Sequence, residues 1–338
     1  MTAGGSLEVI APLAPDIARP RWSVMIPTYH CARFLRATLR SVLVQAPGPH
    51  EMQIEVVDDH STRDDPEGVV RDVAGDRVGF FRQPENRGHS ANFDTCLQRS
   101  RGRIVHLLHG DDGVRDGFYA TLGRAFESNA GVGAAFCRTI YMDERGHWTS
   151  FSPLIQREAG VLSDGFTMFA TRQPAQPPSI VVRREVYERL GGFDRRLKTC
   201  AEDWEMFARI AAHYPVWHEP EPLALYRKHP DSLMGRGLRS GQNARDARTA
   251  IATYRRYAAS TAPGVMRGAR ELAALWMLGL ARRARESRDD ATWFRQMWEA
   301  IATSRSPSVV RRFIRETVAQ GRAVLERAGE HMAHAEAS

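Results

Sequence analysis

From residue 22 onward the chain alternates short apolar runs with amphipathic stretches. The runs 22–27, 53–57, 78–81, 104–108 and 132–137 read as strands, and the stretches 32–45, 65–73, 90–99 and 116–129 between them carry helical periodicity. Strand and helix in alternation predict an α/β fold, a mostly parallel sheet with helices on both faces. From about residue 141 to 227 the pattern is less regular. It predicts a hairpin near 139–150, a Pro-rich loop at 173–178, a strand at 179–182 and a helix at 184–190 that Gly191-Gly192 stops. A further helix follows at 202–213. Beyond Arg239 the chain reads as helix, broken at Pro263 and Pro307, with an apolar stripe of Leu272, Leu275, Trp276, Leu278 and Leu280.

This organisation predicts a disordered Pro/Ala/Gly-rich leader at 1–20, an α/β domain at 21–235 and a helical region at 236–338. The 338 residues fit one large domain or two modest ones, and the longest apolar run, 272–281, is too short to span a bilayer. Cys31, Cys96, Cys137 and Cys200 are scattered without a Cys-x-x-Cys pair, which fits reduced thiols and a cytoplasmic location. The net charge of +7 is uneven: residues 231–338 hold 19 Arg against 11 Asp and Glu. That basic segment, with Arg282, Arg283, Arg285 and Arg288 clustered, reads first as a solvated helical face. Peripheral contact with a membrane and a homodimer through the C-terminal helices stay open. No nucleic-acid-binding motif accompanies the arginines, so no nucleic acid is expected as a partner.

The candidate chemistry lies where strands end. The run at 104–108 stops in His109-Gly110-Asp111-Asp112. Two adjacent carboxylates repel one another, and the usual reason to keep them is a divalent cation on oxygen ligands, Mg²⁺ or Mn²⁺. A second acidic pair, Asp58-Asp59, ends the second strand ahead of His60-Ser61; here helix capping by Asp59, His60 or Ser61 is the simpler alternative. Pro27, Thr28 and Tyr29 end the first strand, and Tyr29 offers an aromatic face to a base. Asn86-Arg87-Gly88 precedes a helix whose N-terminus suits a phosphate. Glu202 and Asp203 open a helix, where acids serve either the helix dipole or general-base chemistry. Arg227 offers a phosphate partner and His229 a metal ligand.

Together these segments resemble the inverting family 2 glycosyltransferases of the GT-A fold. The matching stretches are SVMIPTYH, VVDDHS, NRGHSANF, LLHGDD, GGFD with AEDWEMFARI, and YRKHPDS. The resemblance spans residues 22–232 and implies a catalytic domain at 21–235, with a nucleotide-binding half at about 21–112 and an acceptor half at 113–235. It implies that Pro27, Tyr29 and Asp59 line the base and ribose. Asp112 would bind the metal, with Asp111 holding ribose or the metal shell, Asp203 as the base with Glu202 beside it, and His229 at the metal or diphosphate. Many members carry Asp where this chain has His109.

The activity implied is metal-dependent, inverting transfer of a sugar from a UDP-, dTDP- or GDP-linked donor to a hydroxyl or amine of a small-molecule, glycan or lipid-linked acceptor. The acceptor side is expected around 173–182, 191–194 and Trp204. A sugar-phosphate nucleotidyltransferase is the alternative enzyme. It would want a Gly-rich basic loop after the first strand, where this chain has Pro27-Thr28-Tyr29-His30-Cys31. A non-catalytic nucleotide-sugar- or nucleic-acid-binding protein is the remaining alternative.

Overall fold

The computed structural model describes residues 7–229, 238–257 and 262–336, with side chains left aside at 262 and 327–336. In chain order the elements are β1 (Trp22–Thr28), α1 (Ala32–Leu43), β2 (Met52–Asp58), α2 (Pro66–Ala74), β3 (Gly79–Arg82), α3 (His89–Arg99), β4 (Ile104–Leu107), β5 (Gly113–Val114) and α4 (Phe118–Ser128). Then come β6 (Ala134–Met142), β7 (Trp148–Phe151), β8 (Gly160–Val161), α5 (Gly165–Arg172), β9 (Ile180–Arg183), α6 (Arg184–Leu190), α7 (Glu202–His213) and β10 (Val216–Arg227). The remaining helices are α8 (Gln242–Thr253), α9 (Ala262–Glu286), α10 (Asp290–Thr303) and α11 (Pro307–Glu336). The described residues form two compact units. One holds those up to 229 except 170–172 and 197–201, which go with the second, helical unit.

The first unit is built on a ten-stranded mixed sheet in the order β3-β2-β1-β4-β9-β6-β10-β5, with β7 paired to β6 and β8 to β10. β3, β2, β1 and β4 are all parallel, as the strand–helix alternation requires. Every residue of β1 and β2 is buried, the pattern of strands covered on both faces. α1 supplies part of the cover through Phe34, Leu35, Leu39 and Val42 at helical spacing. In the second half β9 enters antiparallel between β4 and β6, and β10 runs parallel to β6.

Three expectations change here. The long strand β10 was legible only as irregular sequence, because Pro220 and Pro222 break its ladder. The register against β6 shifts between Glu219 and Pro222 and again between Pro222 and Ala224. Helix α2 is capped by Asp65, whose side chain accepts from the Gly68 N–H with Pro66 at the first position, and not by Asp59, His60 or Ser61. The leader is also partly ordered. Ile10 is fully buried, Leu7 bridges Asp194, and the Ala11 carbonyl accepts from the Arg184 guanidinium. Residues 1–6 lie outside the described residues, as do Pro230, Asp231 and Ser232 of the last motif.

In the helical unit Pro263 and Pro307 fall in the first turns of α9 and α11, where proline is tolerated, so they open helices. α9 buries Ala273, Ala274, Met277, Leu278 and Ala281, only in part the stripe expected. Asp246 on α8 anchors the segment 198–200. Its Oδ2 accepts from the N–H groups of Lys198, Thr199 and Cys200 and from the Thr199 hydroxyl. α10 leaves Phe294 and Trp298 exposed, and α11 leaves Ile314, Val318 and Leu325 exposed. Among the described residues no helix is long and apolar enough to cross a membrane.

Candidate active site

The ends of β1, β2 and β4 lie side by side in the sheet, so Tyr29, Asp59 and the His109–Asp112 turn share one edge. In an open α/β sheet this carboxyl edge is where ligands bind. His30 and His60, directly after Tyr29 and Asp59, both hold left-handed backbone conformations (φ 51° and 64°). A non-glycine residue there is strained by roughly 1 kcal/mol, a cost that recurs at functional turns.

The two acids of the first pair have different tasks. Asp58 is structural: it accepts from the N–H and hydroxyl of Ser61 and from Arg82 Nε. Asp59 gathers the loop after β3, accepting from Asn86 Nδ2 at 3.0 Å, the Arg87 N–H at 2.8 Å and the Gly88 N–H at 2.9 Å. Burial raises the Asp59 carboxyl above its ordinary range, partly offset by those N–H groups. Asn86 and Gly88 are thus tied to Asp59, and Gly88 adopts φ 83° at the N-terminus of α3, a conformation that favours glycine. Tyr29 is 36% exposed at this edge, against the His30 ring. Thr28 and Pro27 are buried. The Thr28 hydroxyl pairs with Cys31 Sγ and the Pro27 carbonyl accepts from the Gly110 N–H, so both serve the turn from behind.

That turn is clamped from α1 by the Thr38 hydroxyl, shared between the carbonyls of Gly110 (3.0 Å) and Asp112 (2.6 Å). Gly110 admits no side chain, since a Cβ would stand 2.9 Å from Cys31 Sγ and 3.1 Å from Thr28 Oγ1. Asp112 is 2% exposed. Its Oδ1 accepts from the Arg227 N–H at 2.8 Å, and its Oδ2 is buried without a hydrogen-bond partner among the described residues. Burial, then the charge of Asp111, pushes the Asp112 carboxyl well above its usual range. Burial opposes ionisation of Asp111 too, but a hydrogen bond from His229 Nε2 to its Oδ2 (2.9 Å) and the nearby His109 outweigh it and hold its carboxyl low. Ligand atoms of His109, Asp111 and Asp112 all lie within 4.8 Å of one another. Imidazole and carboxylate donors so placed, with one buried oxygen unused, fit a divalent cation. The histidine in this convergent group is His109. His229 reaches it through Asp111, with its Nδ1 buried and unpartnered among the described residues.

On the other side stands the N-terminus of α7. Glu202 meets His89 at 3.4 Å; burial opposes its ionisation, while His89 and His109 favour it and hold its carboxyl below the ordinary range. Asp203 is raised to about 7 by burial and by the adjacent Glu202 charge. Its Oδ1 accepts from the Trp204 N–H at 2.7 Å and its Oδ2 from Gln173 Nε2 at 3.4 Å. Tyr226 links the two sides: burial, then the charges of Asp112, Asp111 and Asp203, raise its phenol far above the ordinary range.

Some expected roles are taken up structurally. The Arg227 guanidinium donates from Nε to the Asp111 carbonyl and from Nη1 to the Glu144 carbonyl, so it braces the acidic turn against the β6–β7 turn. Trp204 is core, its Nε1 donating to the Phe169 carbonyl. Gly192 packs on Asp94, whose Oδ1 accepts from the Phe193 N–H, and a Cβ at 192 would stand 2.1 Å from that oxygen. His89 and Tyr226 were not singled out from sequence, Gln173 only as the start of the expected acceptor side at 173–182, and His109 not as a ligand. Their relevance comes from contacts between distant segments, and only His109, beside the acidic pair, carried a local signal.

The same fold is found in solved glycosyltransferases. Staphylococcus aureus TarS 1–349, solved in complex with UDP-GlcNAc, superposes with a TM-score of 0.65 at 14% identity, covering 84% of this chain and 81% of that one. The mannosyltransferase PcManGT of Pyrobaculum calidifontis, solved with GDP-Man and Mn²⁺, gives 0.55 at 19% identity over 95% of this chain and 84% of that one. The family model of glycosyl transferase family 2 matches residues 23–191, and that of a glycosyltransferase-like family 2 matches 144–261. The chain belongs to glycosyl transferase family 2 and is a glycosyltransferase. Among sequence relatives, MT1568 of Mycobacterium tuberculosis is 30% identical over 224 residues, 62% of this chain and 68% of that protein. The O-antigen biosynthesis protein RfbC of Myxococcus xanthus is 25% identical over 228 residues, which cover only 18% of its length.

Proposed function

We propose that the chain transfers a sugar from a nucleoside-diphosphate donor to a hydroxyl or amine acceptor, inverting the anomeric centre, with Asp203 as general base. The observation that carries the metal-dependent part is the unpartnered, buried Oδ2 of Asp112 beside His109 and Asp111. The solved neighbours with UDP-GlcNAc and with GDP-Man and Mn²⁺ support a nucleotide-sugar donor and a divalent cation.

In this reading the base stacks at the exposed Tyr29 ring, while Asp59 keeps the Asn86–Gly88 loop shaped as a wall for ribose and diphosphate. His109, Asp111 and Asp112 would hold Mg²⁺ or Mn²⁺, which when bound offsets charge on the departing diphosphate. His229 fixes the Asp111 carboxylate by a hydrogen bond, as outer-shell partners of metal ligands do. Asp203, raised to about 7, is a stronger base than an ordinary aspartate and still ionises at neutral pH. It takes the acceptor proton as the acceptor oxygen or nitrogen bonds to the anomeric carbon and the bond to the diphosphate breaks. Attack opposite the leaving group gives inversion. Gln173 donates to Asp203 and holds it toward the acceptor side.

The test is a thermal-shift and product screen of UDP-, dTDP- and GDP-sugars with and without Mn²⁺. Stabilisation by one donor, increased by the cation, is expected; no stabilisation by any of them would overturn the reading.

The exposed apolar residues of α10 and α11, together with Arg311, Arg315 and Arg322 exposed on α11, support peripheral contact with an anionic membrane surface. Sedimentation with phosphatidylglycerol but not phosphatidylcholine vesicles, lost in Trp298→Ser with Phe294→Ser, is expected. A concentration-dependent dimer abolished by the same changes would instead assign the face to a second copy.

A further inference from the structure

The family resemblance puts a carboxylate where this chain has His109, and the geometry gives that histidine a task. We infer that the cation is held by a mixed nitrogen–oxygen set, His109 with Asp111 and Asp112, and that this set makes the enzyme favour Mn²⁺ or Co²⁺ over Mg²⁺. The inference rests on the metal reading of the same site and adds to it an ion preference set by the nitrogen ligand.

Three independent observations carry it. First, the ligand atoms of the three residues lie within 4.8 Å of one another, a span that one ion with donors at about 2.0–2.5 Å can bridge. Second, neither His109 nitrogen makes a hydrogen bond among the described residues, while the ring is stacked on Phe93 at 5.0 Å and 19°. Phe93 is itself held edge-on by Phe193 at 5.3 Å. The imidazole is therefore oriented by packing and left with its donor capacity unspent. Third, the turn carrying it cannot drift: Gly110 lies against Cys31 and Thr28, and Thr38 clamps the carbonyls of Gly110 and Asp112. A ligand set held this firmly selects by donor type. Mg²⁺ demands near-octahedral oxygen coordination and gives up water reluctantly, whereas affinity for nitrogen donors rises from Mn²⁺ to Co²⁺.

The test uses the full chain and the metal ions alone. Mn²⁺ affinity is measured by titration calorimetry, Mg²⁺ by competition, and nitrogen ligation by the ¹⁴N modulation of the bound Mn²⁺ electron spin echo. The native chain should bind Mn²⁺ at least about tenfold tighter than Mg²⁺ and show nitrogen coupling. His109→Ala should weaken Mn²⁺ about 10–100-fold, and His109→Asp should move the Mn²⁺/Mg²⁺ ratio toward one. A native chain without nitrogen coupling, which needs no variant to fold, overturns the inference. An unchanged ratio in His109→Asp, with Mn²⁺ binding still abolished by Asp112→Asn, overturns it and leaves the metal reading standing. Absence of Mn²⁺ binding by the native chain overturns both.

Discussion

The Asp112 carboxylate and the backbone of Arg227, 115 residues apart, meet in a 2.8 Å hydrogen bond that satisfies only one of the two carboxylate oxygens. The other oxygen is buried beside a second carboxylate. The fold therefore keeps one buried carboxylate oxygen without a hydrogen-bond partner among the described residues, which costs stability and suits a cation.

Asp112→Asn should stabilise the metal-free protein and abolish its stabilisation by Mn²⁺. The sign follows from linkage. A carboxyl whose folded pKa is raised binds protons more readily in the native state, so its contribution to stability falls as pH rises above the unfolded value near 4. The amide removes that penalty. Thermal melting in EDTA and in Mn²⁺ measures both effects. A large loss of metal-free stability in the variant would contradict the account.

Asp203→Asn should lower sugar transfer by about 10²–10⁴-fold, the usual worth of a positioned general base, while leaving donor binding close to native. Initial rates, together with calorimetric titration of the donor, separate the two. Near-native turnover would remove Asp203 from the mechanism.

The pH dependence of kcat/KM should show an ascending limb with its midpoint near 7, because the base must be ionised and burial together with Glu202 raises it to about 7. Glu202→Gln deletes the charge that opposes ionisation, so the limb should move to lower pH. A limb that stays in place, or moves upward, would assign it to another group.

Gly192→Ala tests the packing behind the site. A Cβ at 192 would meet the Asp94 carboxylate at 2.1 Å, and the Glu8 side chain also lies close, at 3.3 Å. The expected loss is about 1–3 kcal/mol in denaturant unfolding, the typical cost of overpacking. A variant as stable as the native chain would show that the loop 191–194 can move away from α3.

Periodicity was enough to read most of the scaffold. The parallel strands β1–β4 and their helices fall within a few residues of the pattern, and α6 and α7 coincide with it, because local propensity and burial agree there. The acidic pairs were legible for the same reason: charged residues at the ends of apolar strands are a local signal. What sequence could not carry were relationships across the sheet. β10 needed its neighbour β6 to hold a strand through two prolines, and Ile10 needed a surface to pack on before it was more than leader. Asp58 and Asp59 look alike in sequence, yet hydrogen bonds from Ser61 and Arg82 make one structural, while Asn86 and Gly88 give the other its loop. His109 read as a missing carboxylate. The nitrogen-ligand role we propose for it rests on Phe93, from α3, stacking on its ring beside Asp111 and Asp112. Such roles depend on desolvation and on partners brought from far along the chain, and those exist only after folding.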